Sequence, residues 1–326
     1  MFEFLINKLK AHPRRIVFTE GTDARILEAA ARLLSGNFLT PVLVGNPEEV
    51  MAAAEKAGFN IRGAEIIDPA NFDDMDKMVD EMVALRKGKM TADECRATLL
   101  QANYFGTMLV NMGYADALLG GATYSTADTV RPALQLVKTK PQNKIVSSCF
   151  IMVRPSATGS NEVLAMGDCA INIKPNEDEL VEIALETAKT AKIFGIDPKV
   201  AFLSYSTKGS GKGEDVDKVR NACAKAKQLA PELALDGEMQ FDAAVSPHVG
   251  QLKFPGSPVA GHANTFIFPD INAGNIGYKI AQRLGNFDAY GPILQGLNAP
   301  INDLSRGCNA LEVYSMAIIT AALCED

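Results

Sequence analysis

Ile16-Val17-Phe18-Thr19-Glu20-Gly21, then an amphipathic stretch from about Asp23, then Pro41-Val42-Leu43-Val44-Gly45 is the segment that decides the fold. The run before Gly21 has the β-branched and aromatic character of a strand. Ile26, Ala29, Ala30 and Leu33 recur at helical spacing and share one face, and the second apolar run returns as a strand. Strand, helix, strand is a βαβ unit, which joins parallel strands under a covering helix. The rhythm continues through Ala64-Glu65-Ile66-Ile67-Asp68. A helical stretch opens at Thr91, where Glu94 completes a capping box, and runs to near Gly113 before a strand over 115–119. The first half therefore predicts a doubly wound α/β domain.

Further along the rhythm changes. Residues 144–153 and 163–170 are consecutive strand-like runs joined by the loop 154–161, a hairpin that marks a second domain. Helix and strand then alternate again, through a helix over 178–194, a strand over 200–206, a helix over 215–229, a strand over 265–269 and a helix over 271–284. A final helix over 310–323 has no linker separating it as a unit of its own, so a return to the first domain is open to it. The length of 326 residues fits two packed domains better than one core.

Composition narrows the function classes. With 47% hydrophobic and 22% charged residues the chain is ordinary for a globular protein. A net charge of −7 argues against nucleic-acid and anionic-membrane partners, which select a basic face. The longest apolar run, 316–323, is too short to span a bilayer, and Met1-Phe2-Glu3-Phe4-Leu5 lacks the basic start of a leader, so the expected location is the cytoplasm. The six cysteines stand singly, without a C-x-x-C pair, and only three histidines occur, His12, His248 and His262. That pattern disfavours disulfides, a zinc site and a His-based triad, and no metal is expected.

Several polar segments are candidates for chemistry. Asn302-Asp303-Leu304-Ser305-Arg306-Gly307-Cys308-Asn309 leads into the last helix and offers one anion a hydroxyl, a guanidinium fork and free backbone N–H groups. The alternative is a structural loop in which Arg306 pairs with a surface carboxylate. Glu312, three residues after Asn309, is either the partner in a capping box or a base. The turn from Ser204 to Gly213 suits an anion nest or a basic surface turn; it matches neither a Walker loop nor the dinucleotide fingerprint. Gly120 to Pro132 begins where a parallel strand ends, the place where open α/β sheets bind ligands. Its Ser125, Thr126 and Arg131 suit a polar anion, and Pro132 is consistent with a helix starting near Arg131. On its own, Arg86 reads as a solvated charge. The glycine-rich segments 256–264 and 270–277 mark a close backbone or ligand approach; His262 is left out of the catalytic set.

Taken in order, these segments resemble the phosphate acetyltransferase family nearly end to end. The stretches that carry the resemblance are Thr19-Glu20-Gly21, Arg131-Pro132-Ala133-Leu134-Gln135, Ser206-Thr207-Lys208-Gly209-Ser210, Asp236 to Ala244, Asn272 to Lys279, and Gly291 to Leu297 running into Asn302-Asp303-Leu304-Ser305-Arg306-Gly307. The resemblance implies two doubly wound α/β domains of the isocitrate dehydrogenase type with a cleft between them. The first is discontinuous, 1–142 plus 292–326, and the second, 143–291, is inserted. It also implies a homodimer.

By the same resemblance Ser305 and Arg306 fall on the family's active-site serine and arginine, and Arg86 and Arg131 on its substrate-binding arginines. Glu312 falls on a catalytic aspartate, so the carboxylate is kept but moved by one methylene. The implied reaction is acetyl exchange between phosphate and the thiol of coenzyme A, with coenzyme A a substrate and no tightly bound cofactor. Glu312 would take the thiol proton, Ser305 would bond the carbonyl oxygen as it gains charge, and the arginines would hold phosphate in a direct transfer. The competing readings are a phosphate butyryltransferase, a non-catalytic regulatory module, and a metal-dependent dehydrogenase, the last opposed by the missing dinucleotide fingerprint.

Overall fold

The computed structural model describes residues 2–156, 159 and 161–324; Ala157, Thr158 and Ser160 of the predicted 154–161 loop lie outside the described residues. The strands, in chain order, are β1 (Arg14–Phe18), β2 (Leu39–Val44), β3 (Glu65–Ile67), β4 (Ala117–Gly120), β5 (Ser147–Pro155), β6 (Asn161–Gly167), β7 (Lys199–Leu203), β8 (Ala234–Met239), β9 (Thr265–Ile267), β10 (Asp288–Gln295) and β11 (Ile301–Asp303). They divide between two units, one of residues 2–140 with 297–326 and the other of residues 141–296.

The discontinuous unit is built on a sheet of order β11-β4-β1-β2-β3 in which every pairing is parallel. Ile16, Val17 and Phe18 are all fully buried, and since consecutive strand residues point to opposite faces, both faces of β1 are covered. Burying each such side chain contributes roughly 1.5–3 kcal/mol. Helix Ala24–Gly36 buries Ile26, Leu27, Ala29, Ala30 and Leu33, with the Asp23 carboxylate accepting from Arg25 N–H at its start. Helices Ala102–Asn111 and Ala310–Ala322 each pack against β1 and β4, so the last helix belongs with the first strands of the chain.

The other unit has a sheet of order β10-β5-β6-β9-β7-β8. β5 and β6 form the predicted hairpin, β10 adds antiparallel to β5, and the remaining pairs are parallel. Phe150, Met152, Met166 and Phe266 form one core, while Val200, Phe202, Leu235 and Ile267 form another with Leu180, Ile183 and Val219 of the covering helices.

Three expectations change, and one strand, β10, had no expectation attached to it. The stretch from Thr91 to Gly113 is two helices, Ala92–Leu99 and Ala102–Asn111, because Gln101 adopts extended backbone (φ −83°, ψ 124°) without Gly or Pro to signal it. β10 is a strand despite Gly291-Pro292; the register shifts between Tyr290 and Ile293, and an edge strand tolerates a residue that cannot donate. The helix expected to begin near Arg131 spans Thr126–Pro132, which places Arg131 in its last turn. Pro132 fits there because Asn103 Nδ2 donates to the Asp128 carbonyl at 2.8 Å, replacing the N–H that proline lacks. Finally, the turn 204–213 directs one backbone N–H and one hydroxyl not to a free anion but to the chain's own Glu238. Oε1 of that buried carboxylate accepts from Gly209 N at 2.7 Å and from Ser206 Oγ at 2.9 Å.

Candidate active site

In the all-parallel sheet the chain moves from β1 through β2 to β3 on one side, then crosses to place β4 on the other side of β1. The strand order therefore reverses between β1 and β4, and open α/β sheets hold ligands outside the carboxyl ends of their strands at such a reversal. Three loops emerge there from adjacent strands: 19–23 after β1, 121–125 after β4, and 304–309 after β11. The last two approach closely at Gly121. A Cβ there would lie 2.2 Å from Asp303 Oδ1 and 3.0 Å from the Leu304 carbonyl, and φ is +100°, so no other residue fits.

Buried and part-buried carboxylates knit these loops together. Glu20 Oε1 accepts from Gly121 N (3.0 Å) and Thr123 N (3.1 Å), while Oε2 accepts from Thr19 Oγ1 at 2.8 Å. Burial pushes the Glu20 carboxyl above its ordinary value, against these hydrogen bonds, which favour the charged form. Asp303 is 3% exposed and accepts from Thr126 Oγ1 and Thr129 Oγ1, each at 2.6 Å; burial raises it as well. The Tyr124 hydroxyl, 2.8 Å from Thr19 Oγ1, is pushed up by burial and then by Glu20, and so stays a neutral phenol. Asp23, by contrast, is held below the usual carboxylate range by the Arg25 guanidinium.

Against this frame the predicted residues take distinct places. Ser305 is exposed; its Oγ accepts from Gly307 N at 3.2 Å, which leaves its own proton to donate outward. Arg306 is exposed, and among the described residues its guanidinium has no ion-pair or hydrogen-bond partner, so the surface carboxylate that a structural loop would have supplied does not engage it. Arg131 is exposed and 3.3 Å from Asp128 in its own helix, a weak pair in solvent. Ser125 donates to Asp128 at 2.7 Å and Thr126 to Asp303, so both of these hydroxyl protons are used inside the protein.

Arg86 ends helix Met75–Arg86 and stands outside this bonded network. Its Nε is buried without a hydrogen-bond partner among the described residues. That helix and Thr126–Pro132, which carries Arg131, both pack on the turn 133–137. Glu312 forms the capping box: Oε2 accepts from Asn309 N at 2.9 Å, and Glu312 N donates to Asn309 Oδ1 at 2.9 Å. The capping role weighed for it is therefore realised, and its exposed carboxylate still lies on the first turn after the Ser305 loop.

Sequence reasoning did not single out Glu20, Arg25 or Asp303 as residues that shape the site. The available signal was thin: a charged residue at the end of a strand, and an arginine two places after a helix cap. Among the described residues no group of three or more His, Cys, Asp or Glu side chains is gathered as a metal ligand set. Among the described residues, no helix is long and apolar enough to cross a membrane.

Comparison with known proteins places this geometry in a lineage. A family model described as phosphate acetyl/butaryl transferase matches residues 1–321. The chain belongs to the phosphate acetyl/butyryl transferase family. It is 53% identical over 322 residues to the phosphate acetyltransferase of Bacillus subtilis (strain 168), covering 99% of this chain and 98% of that one. A solved phosphotransacetylase from Streptococcus pyogenes superposes with a TM-score of 0.95 at 55% identity, over 99% and 97% of the two chains. A Salmonella typhimurium chain of dehydrogenase type gives a TM-score of 0.54 at 12% identity over 95% and 99%, a likeness of fold alone, as expected for the dehydrogenase-like architecture. The matched span includes every candidate residue from Arg86 to Glu312.

Proposed function

We propose that the protein catalyses the reaction acetyl-CoA + phosphate = acetyl phosphate + CoA, with both substrates bound together. The observation that carries this reading is the pairing, on one braced loop at the carboxyl ends of the sheet, of an exposed donor hydroxyl, Ser305, with an unpartnered guanidinium, Arg306. An acyl phosphate presents a carbonyl oxygen that gains charge and a phosphate that departs, and these two groups answer those two demands.

In the direction that consumes acetyl phosphate, the thiol of CoA loses its proton to Glu312 as its sulfur electron pair forms the S–C bond to the acetyl carbon. Ser305 donates to the carbonyl oxygen while it carries the charge. The C–O bond to phosphate then breaks as the proton held by Glu312 is released and the departing phosphate oxygen gains one, so that phosphate leaves as the dianion against Arg306, with Arg131 and Arg86 adding positive field. The test is phosphate-dependent cleavage of acyl-CoA across chain lengths. Acetyl-CoA should be turned over fastest; a butyryl preference would move the assignment within the family, and no phosphate-dependent turnover with any chain would end it.

The role of Glu312 is separable from its cap. Gln serves equally as the third residue of a capping box, so Glu312→Gln should keep the melting temperature yet lower kcat/KM and lose the acidic limb of the pH–rate profile. An acidic limb identical to that of the unaltered protein would exclude the carboxylate as base.

We also propose that the protein is a homodimer. Ile276, Ile280 and Leu284 recur every four residues on helix Ile271–Leu284 and are 57%, 53% and 80% exposed, an apolar stripe of the kind a second copy covers. Light scattering should give a dimer mass that falls to the monomer in Ile280→Asp; a monomeric starting protein would overturn this. We further propose a cytoplasmic location, which cell fractionation checks.

A further inference from the structure

Arg25 is the second residue of helix Ala24–Gly36, and its guanidinium carries five N–H donors. All five are spent on the protein. Nε donates to Asp23 Oδ1 at 2.9 Å and Nη2 to Asp23 Oδ2 at 2.7 Å, a bidentate fork. Nη2 also donates to the Ala122 carbonyl at 2.9 Å, and Nη1 to the carbonyls of Arg306 (2.9 Å) and Cys308 (3.1 Å). These acceptors lie on the three loops that leave β1, β4 and β11. One planar group thus fixes the relative positions of three chain segments.

The loop it holds has little else to fix it. Within 305–308 the other bonds are local, Gly307 N to Ser305 Oγ and Cys308 N to the Ser305 carbonyl at 2.9 Å. Before it, Leu304 N is tied to the Gly120 carbonyl at 2.7 Å; after it, the capping box begins at Asn309. Between those anchors, Arg25 supplies the only side-chain hydrogen bonds to backbone carbonyls of residues 305–308 among the described residues. The two carbonyls it grips flank Gly307, and the first belongs to Arg306 itself. With its donors exhausted, Arg25 has none left for a substrate phosphate, whereas Arg306 has its full set.

We propose that Arg25 is a positioning residue for the transfer reaction: it touches no substrate and acts by aiming the Ser305 hydroxyl and the Arg306 guanidinium. This rests on the acetyl-transfer reading above. The ion pair with Asp23 holds the fork in place, and a lysine could not replace it, because one ammonium cannot span acceptors on three loops.

The experiment compares Arg25→Gln and Arg25→Lys with the unaltered protein, alone and combined with Ser305→Ala. The readouts are kcat, KM for CoA and acetyl phosphate, melting temperature, and amide hydrogen exchange over 305–309. For folded variants, kcat should fall about 10²-fold with KM for CoA unchanged, as for a displacement of about 1 Å at a reacting group. Lysine should not restore it, exchange over 305–309 should quicken, and Arg25→Gln should cost little further once Ser305 is already alanine. Full turnover in a folded variant, a rise in KM with kcat unchanged, or full additivity with Ser305→Ala would each overturn the proposal. If Arg25→Gln does not fold, Arg25→Lys, which keeps a charge beside Asp23, decides by the same measures. An unaltered protein with no acetyl transfer would remove the functional reading instead, and the exchange measurement would still decide whether Arg25 holds the loop.

Discussion

Ser305→Ala is expected to lower kcat by about 10²- to 10³-fold, the range seen when one oxyanion donor is removed, with the melting temperature unchanged. The stability half of this expectation follows from placement: Ser305 is exposed, and the one bond its oxygen accepts is local, from Gly307 N–H. The kinetic half follows from chemistry. A hydroxyl that accepts from backbone keeps its proton, and charge on the carbonyl oxygen develops only during transfer, so the loss should appear in kcat rather than in KM for CoA. Turnover close to that of the unaltered protein would show that the hydroxyl faces solvent without a partner in the reaction, and the assignment of the site would have to move.

Arg306→Gln is expected to raise KM for acetyl phosphate by roughly 10- to 10²-fold, since a hydrogen bond to a charged group contributes about 1.5–3 kcal/mol. Glutamine keeps length and polarity but offers neither charge nor a fork. Because Arg25 holds the Arg306 backbone carbonyl rather than its side chain, the substitution leaves that brace intact and isolates the guanidinium. An equal loss in kcat would show that the charge also acts on the departing phosphate in the transition state; unchanged constants would make Arg306 a surface residue.

The helix caps and the strand–helix alternation were legible in the chain. The capping boxes at Thr91–Glu94 and Asn309–Glu312 form as their spacing implies, and the βαβ rhythm from Ile16 to Val44 gives parallel pairing in register Ile16 to Pro41 through Phe18 to Leu43. Distant partners escaped. Pro132 ends a helix rather than starting one because Asn103, 25 residues from Asp128, supplies the missing donor. In the turn 204–213 the Gly209 N–H is taken by Glu238, 29 residues further on, which no reading of the turn itself reveals. Thr126 looked like a ligand hydroxyl, yet it is used by Asp303, 177 residues away; Ser125 is used too, by its near neighbour Asp128.

The candidate site divides along the same line. The order of residues around Ser305 and Arg306 determined which groups are offered, a hydroxyl beside a guanidinium at a helix entrance, because adjacency and capping are local properties of a chain. Which of those groups remains free to meet a ligand was decided only in three dimensions. Arg25 and Arg306 are the same residue type, but Arg25 lies where Asp23 and three backbone carbonyls converge on its five donors, while Arg306 projects from that brace with none of its own spent among the described residues. A side chain's chemistry is written in its type; its availability is set by which distant atoms the fold brings within hydrogen-bonding distance.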